Sequence, residues 1–314
     1  MMQHPGSSDP CIQTFHDRHI HGIAGVDFAT SSGPEIEAAL NLLHGRRTTQ
    51  VTASVPSMHT EALFAALDRL GTLHTRGQLA GVHLEGPFLS PAYAGAHPAG
   101  ALLRPDSPPG RKLMERLLAY QAATSAVTMM TVAPELSGFQ RLVGDLVSHG
   151  ITPALGHTDA GYQQMRAAIE HLNELNGQQV VVTHLYNAMR GFHHRDPGPL
   201  LAIVEAADAG QVLVELIADG HHVNLALVRW WFQHYPGAVR LVSDASAATP
   251  VPRRPPLTAE PPRLGHQVLR DTGPSGSPRI GQDTLASGAV DLLSMHDTLV
   301  AEGIGHELVC AAMQ

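Results

Sequence analysis

The sequence predicts an α/β protein of the (β/α)8 TIM-type barrel class. Short β-rich runs alternate with helical patterns, as parallel βαβ units do. The runs number eight along the 314 residues, and eight strands close a barrel. The turn after the first run reads His21-Gly22-Ile23-Ala24-Gly25. It lacks the G-x-G-x-x-G pattern that a doubly wound dinucleotide-binding sheet carries at that place.

The strands are expected at Ile12–Ile20, Gln50–Val55, Gly81–Glu85, Val127–Val132, Ile151–Leu155, Val180–Leu185, Val212–Ala218 and Val239–Ser243. Helices are expected at Pro34–His44, Thr60–His74, Arg111–Ala123, Gly138–His149, Ala160–Leu175 and Asn224–His234. Their apolar residues recur at helical spacing, as in Leu63, Ala66, Leu67 and Leu70. The Pro-, Gly- and Arg-rich stretch Thr249–Gly281 reads as a long excursion with a small hairpin. Helices over Val290–Ala301 and Gly305–Ala312 complete the chain. The domain reading is a tail over residues 1–11 and one barrel over residues 12–314.

Composition narrows the function classes. The chain is 43% hydrophobic, enough for a large core, and only 15% charged, against a usual ~25%. Its formal charge of −8 comes without a long basic run, so nucleic-acid binding is not expected. Its two cysteines, Cys11 and Cys310, lie near the two ends and imply neither a disulfide framework nor a cysteine zinc motif. A reduced, cytoplasmic setting follows as the default. Met1–Pro10 is polar and does not read as a signal peptide. No uninterrupted apolar stretch reaches the ~18 residues of a membrane span.

Histidines number 21. Those in polar or helical surroundings, namely His44, His59, His74, His171, His234 and His266, are expected at the surface. The informative ones stand where strands end. His19 and His21 close the first strand and Glu85 the third; His157 follows the fifth and His184 ends the sixth. Asp219 and His222 follow the seventh, and Asp244 ends the eighth. In a barrel all these ends face one mouth. His19 and His21 are two apart, so both side chains share one strand face. Each histidine alone reads as well as a satisfied core residue, and Glu85 alone as half of a buried ion pair. Imidazoles and a carboxylate converging on one mouth are a zinc or iron ligand set. Asp244, facing the same mouth, has the chemistry of a general base.

Longer strings carry a resemblance. They are Asp17-Arg18-His19-Ile20-His21-Gly22, His83-Leu84-Glu85-Gly86-Pro87-Phe88, Gly95-Ala96-His97, Thr131-Val132-Ala133-Pro134-Glu135, Gly156-His157-Thr158-Asp159-Ala160, Thr183-His184-Leu185-Tyr186-Asn187-Ala188-Met189, Ala218-Asp219-Gly220-His221-His222-Val223 and Val242-Ser243-Asp244-Ala245. In this order, over about residues 15 to 312, the chain resembles the N-acetylglucosamine-6-phosphate deacetylase family of the amidohydrolase superfamily. The resemblance implies hydrolysis of N-acetylglucosamine 6-phosphate to glucosamine 6-phosphate and acetate in amino-sugar catabolism. It implies a divalent metal of zinc or iron type, as one or two ions. Glu85, His157 and His184 would be the principal ligands, and His19 and His21 would serve a second ion. Asp244 would be the catalytic acid/base. Ala96, His97, Asn187, the backbone at Ala188, Arg195, Asp219, Gly220 and His222 would contact or line the substrate pocket, with Thr284, Leu285 and Ala286 near the acetyl group. A homodimer is compatible with the resemblance, with Arg195 reaching a neighbouring subunit's pocket.

Three departures stand out. Arg18 replaces an apolar residue usual in the first strand. The chain reads Leu285-Ala286-Ser287-Gly288 where the family has L-A-G-S. The family's small β-sandwich domain, built from both chain ends, is not expected within these residues. A deacetylase of a related N-acyl amino sugar or amino acid, or an inert metal-binding homologue, are the alternative readings.

Overall fold

The structure is a computed structural model that describes residues 14–270, 276–281 and 284–314. Cys11 and the expected tail fall outside the described residues. Eight strands form one sheet in sequence order. They are β1 (Phe15–Ile20), β2 (Thr48–Pro56), β3 (Gly81–Glu85), β4 (Val127–Val132), β5 (Thr152–Leu155), β6 (Val180–Val182), β7 (Val212–Leu216) and β8 (Val239–Leu241). Every neighbouring pair in this order is parallel. The seam between β1 and β8 is joined just beyond β8, where Asp244 N–H donates to His19 O at 2.8 Å and His21 N–H to Ala245 O at 2.7 Å. Asp17 adds a side-chain staple there, accepting from Ser243 N–H at 3.2 Å. The expected (β/α)8 barrel is what forms.

Nine helices among the described residues surround the sheet: α1 (Gly33–His44), α2 (Thr60–Thr75), α3 (Pro108–Thr124), α4 (Phe139–Ser148), α5 (Tyr162–Asn176), α6 (Leu200–Asp208), α7 (Leu225–His234), α8 (Leu292–Ala301) and α9 (His306–Ala312). Each turns an apolar stripe to the sheet. In α2 the stripe is Leu63, Phe64, Ala66, Leu67, Leu70 and Leu73, all buried, at the spacing that one helix face allows. Their ends are capped locally. Ser32 and Glu35 form a capping box on α1, and Asn224 and Asp291 cap the first turns of α7 and α8. None of the described helices is long and apolar enough to cross a membrane.

Several boundaries differ from expectation. β6, β7 and β8 stop two or three residues early, so His184 and Asp244 stand in turns beyond their strands. His184 and Asp244 have φ of +26° and +47°, which no extended strand accommodates. α6 was not among the expected helices. Its run Leu200-Leu201-Ala202-Ile203-Val204 is nearly all apolar, and its N-cap position is Pro199, without a capping side chain. The excursion after β8 carries two short hairpins, Arg263–Leu264 with Gln267–Val268 and Arg279–Ile280 with Thr284–Leu285. None of the six histidines assigned to the surface is buried.

The barrel interior beneath the mouth is polar and hydrogen-bonded. Ser54 Oγ lies 3.0 Å from His83 Nδ1, His83 Nε2 lies 2.8 Å from Thr131 Oγ1, and Thr131 Oγ1 lies 2.9 Å from Thr183 Oγ1. This belt ties β2, β3, β4 and the turn after β6 together directly under the strand ends.

Helices α1 and α8 are pinned by one partly buried ion pair. Arg46, just after α1, bonds Asp291 through Nε and, at 2.9 Å, through Nη2, and it also bonds Ser294 Oγ at 2.9 Å. Asp291 is 1% exposed. Burial alone would raise its pKa, but its bonds to Arg46 and Ser294 hold it below the usual range. Arg46→Ala should therefore destabilise the chain by about 3 kcal/mol, since it strands a buried carboxylate. The pair's contribution is present above the ordinary aspartate pKa and is lost as pH falls through the depressed value. Denaturant unfolding at pH 7 and pH 3 checks this: the gap between wild type and variant should be wide at neutral pH and narrow in acid. An equal gap at both would reject the role.

Candidate metal centre and active site

Five imidazoles converge on one carboxylate at the C-terminal mouth of the barrel. Glu85 ends β3 and is 4% exposed. Its Oε1 lies 3.0 Å from both His157 Nε2 and His184 Nε2, and 3.6 Å from His19 Nε2. Its Oε2 lies 3.0 Å from His21 Nε2 and 3.2 Å from His97 Nε2. Asp244 Oδ1 lies 3.4 Å from both His19 Nε2 and His21 Nε2. The five histidines and Asp244 are all buried. Burial alone would raise Glu85, yet the surrounding imidazoles hold it well below the usual carboxylate range.

The local backbone is bent to aim these groups. His157, His184 and Asp244 have φ of +48°, +26° and +47°, a region non-glycine residues enter rarely and at a cost of order 1–3 kcal/mol each. Neighbours hold the bends. Glu135 accepts from Thr158 Oγ1 at 2.6 Å and from Asp159 N–H at 2.7 Å. Two glycines leave the necessary space. A Cβ on Gly156 would stand 2.8 Å from Thr183 Cβ, and one on Gly95 would stand 3.2 Å from His157 Cε1.

The hydrogen-bond network assigns different roles to similar rings. His157 Nδ1 donates to Tyr93 O at 2.9 Å. Its Nε2 then presents a lone pair to Glu85 and, 3.1 Å away, to His184 Nε2. Lone pairs facing each other at such distances repel unless a proton or a cation lies between them. The donor set of imidazole nitrogens and carboxylate oxygen is one that zinc or iron takes. These residues therefore fit a divalent cation. His97 is different. Ser57 N–H donates to its Nδ1 at 3.0 Å, which places the ring proton on Nε2. Burial lowers His97 to about 4 despite Glu85, so the ring is neutral. Although His97 belongs by distance to a possible ligand group with Glu85 and His157, its tautomer makes it a hydrogen-bond donor.

A cavity of ≈ 200 Å³ opens above this cluster. Glu85, His157, His184 and Asp244 form part of its wall, with Ala96, His97, Asn187, Ala188, His222, Thr284, Leu285 and Ala286. His19 and His21 are buried behind Glu85 and Asp244 and do not line it. Asp219 is behind the wall, where its Oδ2 pairs with His222 Nδ1 at 2.8 Å and accepts from Ala289 N–H at 3.0 Å. Burial opposes the charge on Asp219, but His222 holds it at about 2; burial likewise opposes His222, and Asp219 raises it above its ordinary value. Gly220 is exposed at the rim. Arg195 is not brought to the cavity: it is exposed on the loop beyond Arg190, beside Phe192, which is 60% exposed. A larger cavity of ≈ 490 Å³ lies at the opposite end, between His16, Arg18 and Arg240. It lacks converging ligand groups, and barrel chemistry belongs to the C-terminal face.

Two buried groups at the site went unmarked in the sequence. His83 anchors the polar belt below the cluster. Glu215 on β7 is fully buried, 3.6 Å from His19 Nδ1 and 4.0 Å from Arg240 Nη1, with no hydrogen bond to either carboxylate oxygen. Its signal was legible: a lone charge in the apolar run Val212-Leu213-Val214-Glu215-Leu216.

Comparison with models of known protein families finds no match. Individual proteins do match. The N-acetylglucosamine-6-phosphate deacetylase of Rattus norvegicus is 35% identical over 244 residues, covering 74% of this chain and 57% of its own length. That of Lysinibacillus sphaericus is 32% identical over 258 residues, covering 79% and 61%. The chain thus spans a little over half of the curated relatives it matches. Among solved structures, a mutant N-acetyl-D-glucosamine-6-phosphate deacetylase of Mycobacterium smegmatis, in complex with N-acetyl-D-glucosamine-6-phosphate, superposes with a TM-score of 0.82 at 33% identity, over 96% of this chain and 74% of that one. With the barrel, the mouth and these likenesses together, the chain belongs to the N-acetylglucosamine-6-phosphate deacetylase family of the amidohydrolase superfamily.

Proposed function

We propose that this chain hydrolyses N-acetyl-D-glucosamine 6-phosphate to D-glucosamine 6-phosphate and acetate. The observation that carries the reading is the placement of Asp244. Its carboxylate flanks the histidine–glutamate cluster at the base of a cavity of ≈ 200 Å³. Residues 12–314 would act as one catalytic barrel.

Glu85, His157 and His184 would hold a divalent cation of zinc or iron type, with His19 and His21 completing a second position. A cation there supplies Lewis-acid polarisation of the amide carbonyl and acidifies the attacking water. Asp244 takes a proton from that water as its oxygen bonds the carbonyl carbon. It then delivers the proton to the departing nitrogen as the C–N bond breaks. The Nε2 proton of His97 faces Glu85 Oε2 at 3.2 Å; turned to the bound substrate instead, it would stabilise the developing oxyanion. His222, raised by Asp219, would present positive charge to the anionic substrate. Asn187, the backbone at Ala188 and the rim at Gly220 would hold the sugar, and Thr284, Leu285 and Ala286 would enclose the acetyl methyl.

Arg195 has a separate part. A guanidinium suits phosphate oxygens, but this one lies outside its own cavity wall. Its exposed position supports a role in a homodimer, where it would enter the partner's site.

Four outcomes are expected. His157→Ala with His184→Ala should lower metal content and turnover together; full metal content in the double variant would sink the ligand assignment. Asp244→Asn should keep its metal while kcat falls by ~10²–10⁴, and near-normal turnover would place the base elsewhere. Arg195→Ala should lose roughly 10- to 150-fold in kcat/KM on the 6-phosphate, the worth of a charge-assisted hydrogen bond, and little on the unphosphorylated sugar. Mixing Arg195→Ala with Asp244→Asn chains should restore activity in hybrid dimers. Absence of complementation would confine Arg195 to its own subunit, and a wild-type preference for the unphosphorylated sugar would reject the substrate.

A further inference from the structure

A second group of ligand-type side chains lies at the far end of the barrel from the mouth. α8 contributes His296, and α9 contributes His306 and Cys310. His306 and Cys310 are four apart and share one helix face. His296 Nε2 lies 2.9 Å from His306 Nδ1, and Cys310 Sγ lies 3.8 Å from the same nitrogen. The ligand atoms of all three fall within 4.8 Å of one another. The group is near the start of β1, where Phe15 packs 5.8 Å, ring to ring, from His296. His19 and His21 belong to the other end of that strand.

The chemistry of the set is specific. Asp297 Oδ1 is 2.9 Å from His296 Nδ1, so it takes that nitrogen's proton as a hydrogen bond and leaves the Nε2 lone pair facing His306. Carboxylates orient metal-binding histidines in this way. Bonds of about 2.0–2.1 Å to nitrogen and 2.3 Å to sulfur put tetrahedral ligands about 3.3 Å (N···N) and about 3.6 Å (N···S) apart. The two separations from His306 Nδ1 differ from these by only a few tenths of an ångström, and the third, between His296 and Cys310, is within 4.8 Å. Two imidazoles and a thiolate select zinc-type ions over the hard, oxygen-seeking magnesium and calcium. Cys310 and His296 are buried, while His306 is exposed, which gives an ion a route in and water a place at the fourth position.

We propose that His296, His306 and Cys310 form a second divalent-metal site, of zinc type, that clips α9 to α8. Binding forms a sulfur–metal bond and releases the Cys310 proton to solvent, so affinity rises with pH. The clip would steady the end of the helical ring, where Met313 O accepts from His16 N–H at 2.8 Å and so ties the chain after α9 to β1.

Cobalt(II) separates this site from the mouth, whose donors are only nitrogen and oxygen. The full chain carrying Cys11→Ser, stripped with chelator and titrated with cobalt(II), should develop thiolate-to-cobalt charge-transfer absorption that saturates at one sulfur-bound ion per chain. Zinc should displace it. Adding Cys310→Ser should remove the band, and adding His306→Ala, at an exposed position, should weaken the affinity at least tenfold. No band in the Cys11→Ser chain, or a band indifferent to His306→Ala, overturns the proposal. If Cys310→Ser does not fold, alkylation of Cys310 serves instead: zinc should slow it at least tenfold, and an unchanged rate rejects the site.

Discussion

A single buried carboxylate organises the mouth of this barrel. Glu85 has imidazole nitrogens of His157, His184 and His21 at 3.0 Å, with those of His97 and His19 slightly farther. An isolated charge in so dry a place would be several kcal/mol uphill. It persists because β1, the loop after β3 and the turns after β5 and β6 all bring imidazole nitrogens to it. Take away that convergence and the charge has no reason to be there. Take away the charge and the imidazoles face one another without a common partner.

That arrangement explains features that look wasteful in isolation. Non-glycine residues at positive φ cluster at His157, His184, Tyr186, Ala188 and Asp244. Such strain survives only where surroundings over-determine it. Here the surroundings are the hydrogen-bonded belt of Ser54, His83, Thr131 and Thr183 below and the brace of Glu135 beside. Asp219 locks His222 by the same logic. Strands β1 and β3 thus carry His19 and Glu85, while the bent turns past β5, β6 and β8 aim His157, His184 and Asp244. The distinction between His157, aimed by Tyr93 O, and His97, aimed by Ser57 N–H, follows from these supports and separates a lone-pair ligand from a proton donor.

Much of this was legible in the sequence. Eight apolar runs, six of them ending in or leading into His, Glu or Asp, state both the barrel and the mouth, since strand ends converge whatever the loops do. Glu85 closing Gly81–Glu85 is the clearest case. Other features were hidden for physical reasons. Periodicity reports burial, not φ, so the turns that cut β6 and β8 short left no trace. The run Leu200–Asp208 is apolar on too many sides to reveal a helix by alternation. Arg195 follows the strand-six motif in sequence, yet loop direction, which sequence spacing does not encode, turns it outward. Asp219 stands behind His222 because a residue three positions away can face the other side of a turn. His296, His306 and Cys310 meet only because α8 and α9 fold against each other.

The central claim is that Glu85 and its histidines exist to hold a cation. Anomalous diffraction from crystals of the metal-loaded chain, collected at that metal's absorption edge, tests it most directly. The account predicts a peak at the barrel mouth about 2.0–2.2 Å from a Glu85 oxygen and from the Nε2 atoms of His157 and His184, the bond lengths of a zinc-type site. A mouth with no anomalous peak, its Glu85 carboxylate bonded directly to protonated imidazoles while metal is bound elsewhere, would contradict it.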